Sequence, residues 1–161
     1  MTTVRARAHL EGHADVERLT RAVARELQAP VACVSLFSSD RGFQLASFGL
    51  AAPSALLFSW SFIAEIVATG HPLVVKDGQA DVTASRNPAV RDGTVAAYAG
   101  MPLVASGGHT VGTLSVMDGR PRTWTPNELE RLRNLSVEVV AELERGDGAS
   151  ASFDPPHLVG A

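Results

Sequence analysis

The chain has one cysteine, Cys33, one lysine, Lys76, and one tyrosine, Tyr98, among 161 residues. A single thiol cannot close an internal disulfide, and it leaves a cysteine-based zinc site without ligands. Cys33 stands in the apolar run Val31-Ala32-Cys33-Val34, where a lone thiol is expected to serve as a small core residue. An excess of positive charge is also missing. The 14 Lys and Arg face 17 Asp and Glu, for a formal charge of −3, and the positive residues are scattered from Arg5 to Arg145. That pattern offers no basic stripe, so a nucleic-acid partner is not expected. The start, Met1-Thr2-Thr3-Val4-Arg5, lacks the apolar stretch of a secretory leader. Long unbroken hydrophobic runs are absent too. Residues 45–68 carry little charge, but Gly49 and Pro53 interrupt them and Glu65 lies near their end. Neither flank has the Lys/Arg cluster that anchors a spanning helix. Apart from His9 and His13, four residues apart, no pair of histidines sits at helical or turn spacing, and no metal site is expected. These absences point to a soluble, cytoplasmic chain with no membrane contact.

What is present is an ordinary globular composition, 45 % apolar and 19 % charged, at a length that buries one core. Asp15 is a candidate cap for a first helix, in which Val16, Leu19, Val23 and Leu27 recur at helical spacing until Pro30 stops it. Residues 31–48 read as a β-hairpin, turned at Ser39-Asp40-Arg41-Gly42. Residues 51–59 read as irregular, and Phe62–Thr69 as a short helix ended by Gly70. A short strand follows over His71–Lys76, and then a polar stretch, 77–96, with one helical turn expected near 79–83. A loop of that length within a compact domain usually belongs to a binding site. Ala97–Ala105 and Thr110–Met117 read as a second hairpin, turned at Ser106-Gly107-Gly108. Thr125 and Glu128 form a capping box, with Pro126 at the first helical position, for a last helix carrying Leu129, Leu132, Leu135, Val139, Val140 and Leu143. The domain thus spans 15–145, between an N-terminal extension, 1–14, and a Gly/Ser/Pro tail, 146–161, expected to be flexible. Hairpin-linked strands with helices at both ends predict an α+β fold, an antiparallel sheet with the terminal helices on one face and the 50–96 region over the other.

Four stretches resemble the GAF domains common in bacterial signalling proteins. They are APVACVSLFSSDRGFQLASFGL, then TGHPLVVKDGQAD with RNPAV, then YAGMPLVASGGHTVGTLSVMDGRPR, then TPNELERLRNLSVEVV. The third is the most specific, with Tyr98-Ala99-Gly100-x-Pro102-Leu103, Gly112-Thr113-Leu114, Asp118 and Pro121-Arg122 in order. The resemblance implies a GAF/PAS-like sheet with a pocket under the 50–96 region, where relatives hold cyclic nucleotides, bilins, haem or small metabolites. It also implies terminal helices that pair into a homodimer and pass a signal to a kinase, phosphatase or cyclase.

One stand-alone relative reduces free methionine sulfoxide through a cysteine sulfenate and a resolving thiol. Here Cys33 is alone, and position 63, where some relatives have Cys, is Ile63. No enzyme activity is expected, and covalent bilin attachment fails for the same reason. Haem would need an axial histidine, but His71 and His109 read as turn residues and His9, His13 and His157 lie in the terminal segments. Ser59, Ser61 and the loop Asp81–Asn87 could contact a cyclic phosphate. The Asn-Lys-x-Asp…Phe-x-Asp-Glu signature of nucleotide-binding relatives is nevertheless missing. The ligand's identity stays open.

Candidate pocket residues are Phe58, Trp60 and Phe62, which share a face in a strand and splay in a helix, with Tyr98, Asp77, Asp81 and Ser115. Each has a plainer alternative: core packing for the aromatics, turn capping for the aspartates. Leu19, Val23, Leu132, Val139 and Leu143 are candidates for a dimer seam, and equally for packing on the chain's own sheet. Val137 and Val140 point partly off that stripe. The leading expectation is a small-molecule-binding sensory module acting in trans on a partner. The alternative is a dimerisation or scaffold module whose pocket is filled by its own aromatics.

Overall fold

A computed structural model describes the backbone of residues 2–38, 41–49 and 55–146, and the side chains of 14–37, 44–49 and 61–145. Helix α1 runs Thr2–Glu26, then come β1 (Val31–Ser38), β2 (Arg41–Phe48), α2 (Ala55–Thr69) and β3 (Leu73–Val75). A 3-10 turn at Ala84–Arg86 and the short helix α3 (Pro88–Arg91) precede β4 (Ala97–Val104), β5 (Thr110–Asp118) and α4 (Pro126–Gly146). The five strands form one antiparallel sheet in the order β2-β1-β5-β4-β3. The predicted α+β architecture holds.

Strand alternation divides the core in two. Ala32, Val34, Leu36, Leu114, Val116, Ala97, Ala99, Met101 and Leu103 point toward α1 and α4, where they meet Val16, Leu19, Val23, Leu132, Leu135 and Val139. On the opposite face Cys33, Tyr98 and Met117 meet Phe62 and Ile66 of α2 and Ala84, Ala89 and Val90 of the following loop. The two-sided cover expected from the sequence is therefore present. Each fully buried Leu, Val or Ile contributes about 1.5–3 kcal/mol to this packing.

Several boundaries move. Asp15 does not cap α1, because the helix runs through it from Thr2, and its carboxylate pairs with Arg18 at 3.2 Å. The helix ends before Pro30. Gln28 adopts φ +50, while Gln28 N–H donates to Arg25 C=O and Ala29 N–H to Ala24 C=O. This is a Schellman ending with glutamine in the left-handed position that usually favours glycine. Helix α2 starts at Ala55, so part of the stretch read as irregular is helical. Its apolar start, Ala55-Leu56-Leu57-Phe58, gives little periodic contrast, and the start was missed for that reason. The helical turn expected near 79–83 lies later, at 84–86 and 88–91. Strand β2 begins at Arg41, inside the expected turn, and Ser39 and Asp40 lie outside the described residues, as do Ala51–Ser54 and the tail from Asp147.

The capping box of α4 forms as read. Thr125 Oγ1 accepts from Glu128 N–H at 3.1 Å, and Glu128 Oε1 accepts from Thr125 N–H at 2.9 Å. No described helix is long and apolar enough to cross a membrane.

Candidate functional site

The face of the sheet under α2 is not uniformly apolar. Register places Cys33 of β1 opposite Ser115 of β5, and Ser115 opposite Gly100 of β4. One pair further along, Ser35 faces Thr113, and Thr113 faces Pro102. Since alternate residues share a face, Cys33, Ser35, Thr113 and Ser115 line up on the α2 side together with Tyr98. All five are sealed from solvent, at 1 % exposure or less.

Tyr98 reaches this row because Gly100 has no side chain. A Cβ at Gly100 would lie 2.7 Å from the Tyr98 hydroxyl oxygen and 2.6 Å from Ile66 Cδ1. The phenol lies across that gap, its hydroxyl 2.6 Å from Ser115 Oγ, and Ser115 Oγ is 3.3 Å from Thr113 Oγ1. Ser35 Oγ points to Cys33 Sγ at 4.0 Å. The Phe62 ring of α2 covers Tyr98, with centroids 4.6 Å apart and planes tilted by 41°. Among the described residues no buried side-chain nitrogen or oxygen lacks a partner. Burial pushes the Cys33 thiol up to about 11, with Ser35 opposing weakly. Burial likewise raises the Tyr98 phenol above its ordinary value. At neutral pH the row is therefore a set of uncharged groups that both donate and accept.

The structure brings together three of the expected pocket residues, Phe62, Tyr98 and Ser115. Two others lie elsewhere. Asp81 folds back on its own turn, Oδ1 accepting from Thr83 N–H at 3.0 Å and Ala84 N–H at 2.8 Å. Asp77 is half-buried at the start of the loop. Phe58 and Trp60 belong to α2, so the helical alternative applies to them, and their side chains lie outside the described residues.

Sequence reasoning missed Cys33, Ser35 and Thr113 as members of the polar row. Their spacing by two in β1 and β5 was the available signal, but only strand register shows that the two sets face each other. It also missed how the 77–96 loop is anchored. Asn87 is buried, caps α3 by accepting from Ala89 N–H at 2.9 Å, and donates through Nδ2 to Ser61 Oγ of α2 at 2.8 Å. The Asn-Pro start of α3 carried that cap signal.

The candidate seam residues are placed differently from a partner surface. Leu19, Val23, Leu132 and Val139 are buried in the chain's own core, and Leu143 packs against it. The first four are therefore not exposed on this chain's surface, whereas Leu143 is half-buried. On α4 the exposed large apolar residue is Val137, at 66 %.

No cluster of three or more His, Cys, Asp or Glu side chains that could hold a metal occurs among the described residues. No curated protein matches the chain. Solved structures do. The chain is similar to a GAF domain region from Geobacter sulfurreducens (TM-score 0.74, 16 % identity, 87 % of this chain and 97 % of that one). It is similar also to the blue-light absorbing form of the PixJ GAF domain of Thermosynechococcus elongatus (TM-score 0.68, 21 % identity, 86 % and 88 %). A third is the type II free methionine-R-sulfoxide reductase of Thermoplasma acidophilum (TM-score 0.71, 6 % identity, 86 % and 96 %). At these identities the likeness concerns the fold. The GAF domain pattern itself matches residues 13–143, and with most of its length matched the chain belongs to the GAF domain family, whose members are generally sensory and regulatory signalling modules.

Proposed function

We propose that this chain is a non-catalytic, cytoplasmic GAF module that binds a small polar molecule against the hydroxyl row and relays occupancy in trans to a partner signalling protein. The carrying observation is the row itself, Cys33, Ser35, Tyr98, Thr113 and Ser115 buried on one sheet face under α2. Burying a hydroxyl costs free energy unless it is hydrogen-bonded, so a face meant only to pack a helix would be apolar, as the opposite face is. These hydroxyls bond to one another, and a ligand offering donors and acceptors could replace those bonds without ionising any group. The loop that covers this side is tied to α2 through Asn87 and Ser61, so displacing α2 to admit a ligand would also strain the loop.

The non-catalytic reading rests on the thiol. A nucleophilic cysteine needs an exposed, lowered-pKa site, whereas Cys33 is buried and raised to about 11. A homodimer remains part of the proposal, through surface other than the buried stripe. The second reading, a scaffold module with a self-filled pocket, is favoured by one observation, the Phe62 ring packed on a fully buried Tyr98.

Thermal-shift measurements across a panel of small polar metabolites separate the two. A ligand at one hundred times its Kd stabilises the folded state by about 2.7 kcal/mol. The sensory reading expects such a shift for the wild type and its loss in Thr113→Val, which keeps the volume and removes the hydroxyl. A ligand whose shift is unaffected by Thr113→Val would place the site elsewhere, and no shift across the panel would favour the scaffold reading.

A further inference from the structure

Away from the hydroxyl row, a groove of about 340 Å³ runs between α4 and the end of β4. Its apolar lining is Pro72, Met101, Pro102, Val104, Val137 and Val140, and Arg133 and Ser136 also line it. Val104 is 45 % exposed and Val137 66 %, an open apolar strip of the kind that marks an interaction site. Strand β3 pairs with β4 only over Tyr98–Gly100, so β4 from Met101 onward has no neighbour on that side among the described residues. Arg133 has no ion-pair partner there either, in contrast to Arg131 and Arg145 on the same helix.

We propose that the groove is the seat of the chain's own C-terminal segment, Phe153-Asp154-Pro155-Pro156-His157-Leu158-Val159. Three observations select that occupant. The first is reach. Helix α4 runs to Gly146, and Val140 and Val137 lie roughly 9–14 Å back along it at 1.5 Å per residue. The intervening Asp147-Gly148-Ala149-Ser150-Ala151-Ser152 can span about 20 Å when extended, and its small residues allow the reversal. The second is chemistry. After that spacer the sequence changes to Phe, Pro-Pro and Leu-Val, and a Pro-Pro pair holds an extended form at low entropic cost. The third is charge. Asp154 is the acidic residue within this apolar stretch, and with Phe153 seated between Val140 and Val137 it comes about 3 Å closer to Arg133, within reach of that long side chain.

The test uses the full chain with Ser152→Cys carrying a nitroxide, since native Cys33 is buried and leaves the introduced thiol as the reactive one. Paramagnetic broadening of the Val104, Val137 and Val140 methyl signals is expected within one chain, with methyls of Val82, on the other side of the sheet, unaffected. It should weaken in Phe153→Ala and in Asp154→Arg, and return when Asp154→Arg is combined with Arg133→Glu. A mixed sample, nitroxide on one chain and isotope label on another, reads the alternative. Broadening only in the mixed sample assigns the groove to a second copy and overturns the proposal, as does groove methyls unbroadened in both samples.

Discussion

Gly100 shows how one missing side chain arranges a site. The space it leaves is taken by the Tyr98 ring and Ile66, so a methyl group there meets atoms at 2.6–2.8 Å. Gly100→Ala is expected to destabilise by about 1–3 kcal/mol through overpacking, read as a lowered denaturant midpoint. It should also displace the phenol from Ser115. Titration adds a second prediction at this scale. Cys33 goes from an ordinary value of 9.0 to about 11 in the fold, so the native state resists losing that proton. The sign is that of a raised group: its stability contribution is intact below pH 9 and is lost as pH climbs toward 11. The loss is about 2–3 kcal/mol. Unfolding free energy measured across that window should fall, and Cys33→Ala should flatten the part that begins near pH 9. An equally steep fall in the variant would assign the effect to other groups.

Among elements, one side chain, Arg122, ties together the end of α1, the start of α4 and, through Trp124, β3. Arg122 donates to Leu27 C=O at 2.9 Å and Gln28 C=O at 3.2 Å, the carbonyls left over at the end of α1. It also pairs with Glu128 at 2.6 Å and Asp118 at 3.5 Å, and stacks 4.1 Å over Trp124, whose indole N–H donates to Val75 C=O. A planar guanidinium can serve all these partners at once, and an ammonium cannot. Arg122→Ala is expected to cost about 2–4 kcal/mol, with Arg122→Lys recovering only a minor part, both measured by chemical denaturation. Pro121-Arg122 was visible in the sequence as part of the family resemblance, but its reach back to α1 was not, because the carbonyls it serves are 94 and 95 residues away. By contrast the Thr125–Glu128 capping box was legible outright, since all its partners lie within one turn. The same distinction explains α1, whose register was read correctly from Val16, Leu19 and Val23 while its start was misplaced at Asp15. Periodicity is a local signal that long-range packing does not erase, whereas a helix start read from one capping residue is ambiguous when that residue also suits a helix surface.

For the whole molecule, the division into a helix-packed face and a face bearing polar groups was half legible. Ala32, Val34 and Leu36 announce a buried strand, and the hairpins follow from turn chemistry. The polar row needs three strands in register before Ser35, Thr113 and Ser115 become a set, and nothing in the linear order of residues conveys that. Likewise, burial alone decided that Leu132 and Val139 face the sheet, because a stripe suited to a partner and a stripe suited to a core share one spacing. The fold holds together from both ends. Glu144 near the end of α4 accepts from the Ser106 amide and hydroxyl in the β4–β5 turn, which lowers its carboxyl below the usual range.

The central claim, a small molecule held at the hydroxyl row, is met most directly by native mass spectrometry of freshly purified protein beside the Thr113→Val and Tyr98→Phe variants. The account predicts a discrete added mass on the wild type that is lost or much reduced in both variants. An added mass retained unchanged by both would contradict it, since the bound molecule would then owe nothing to the row.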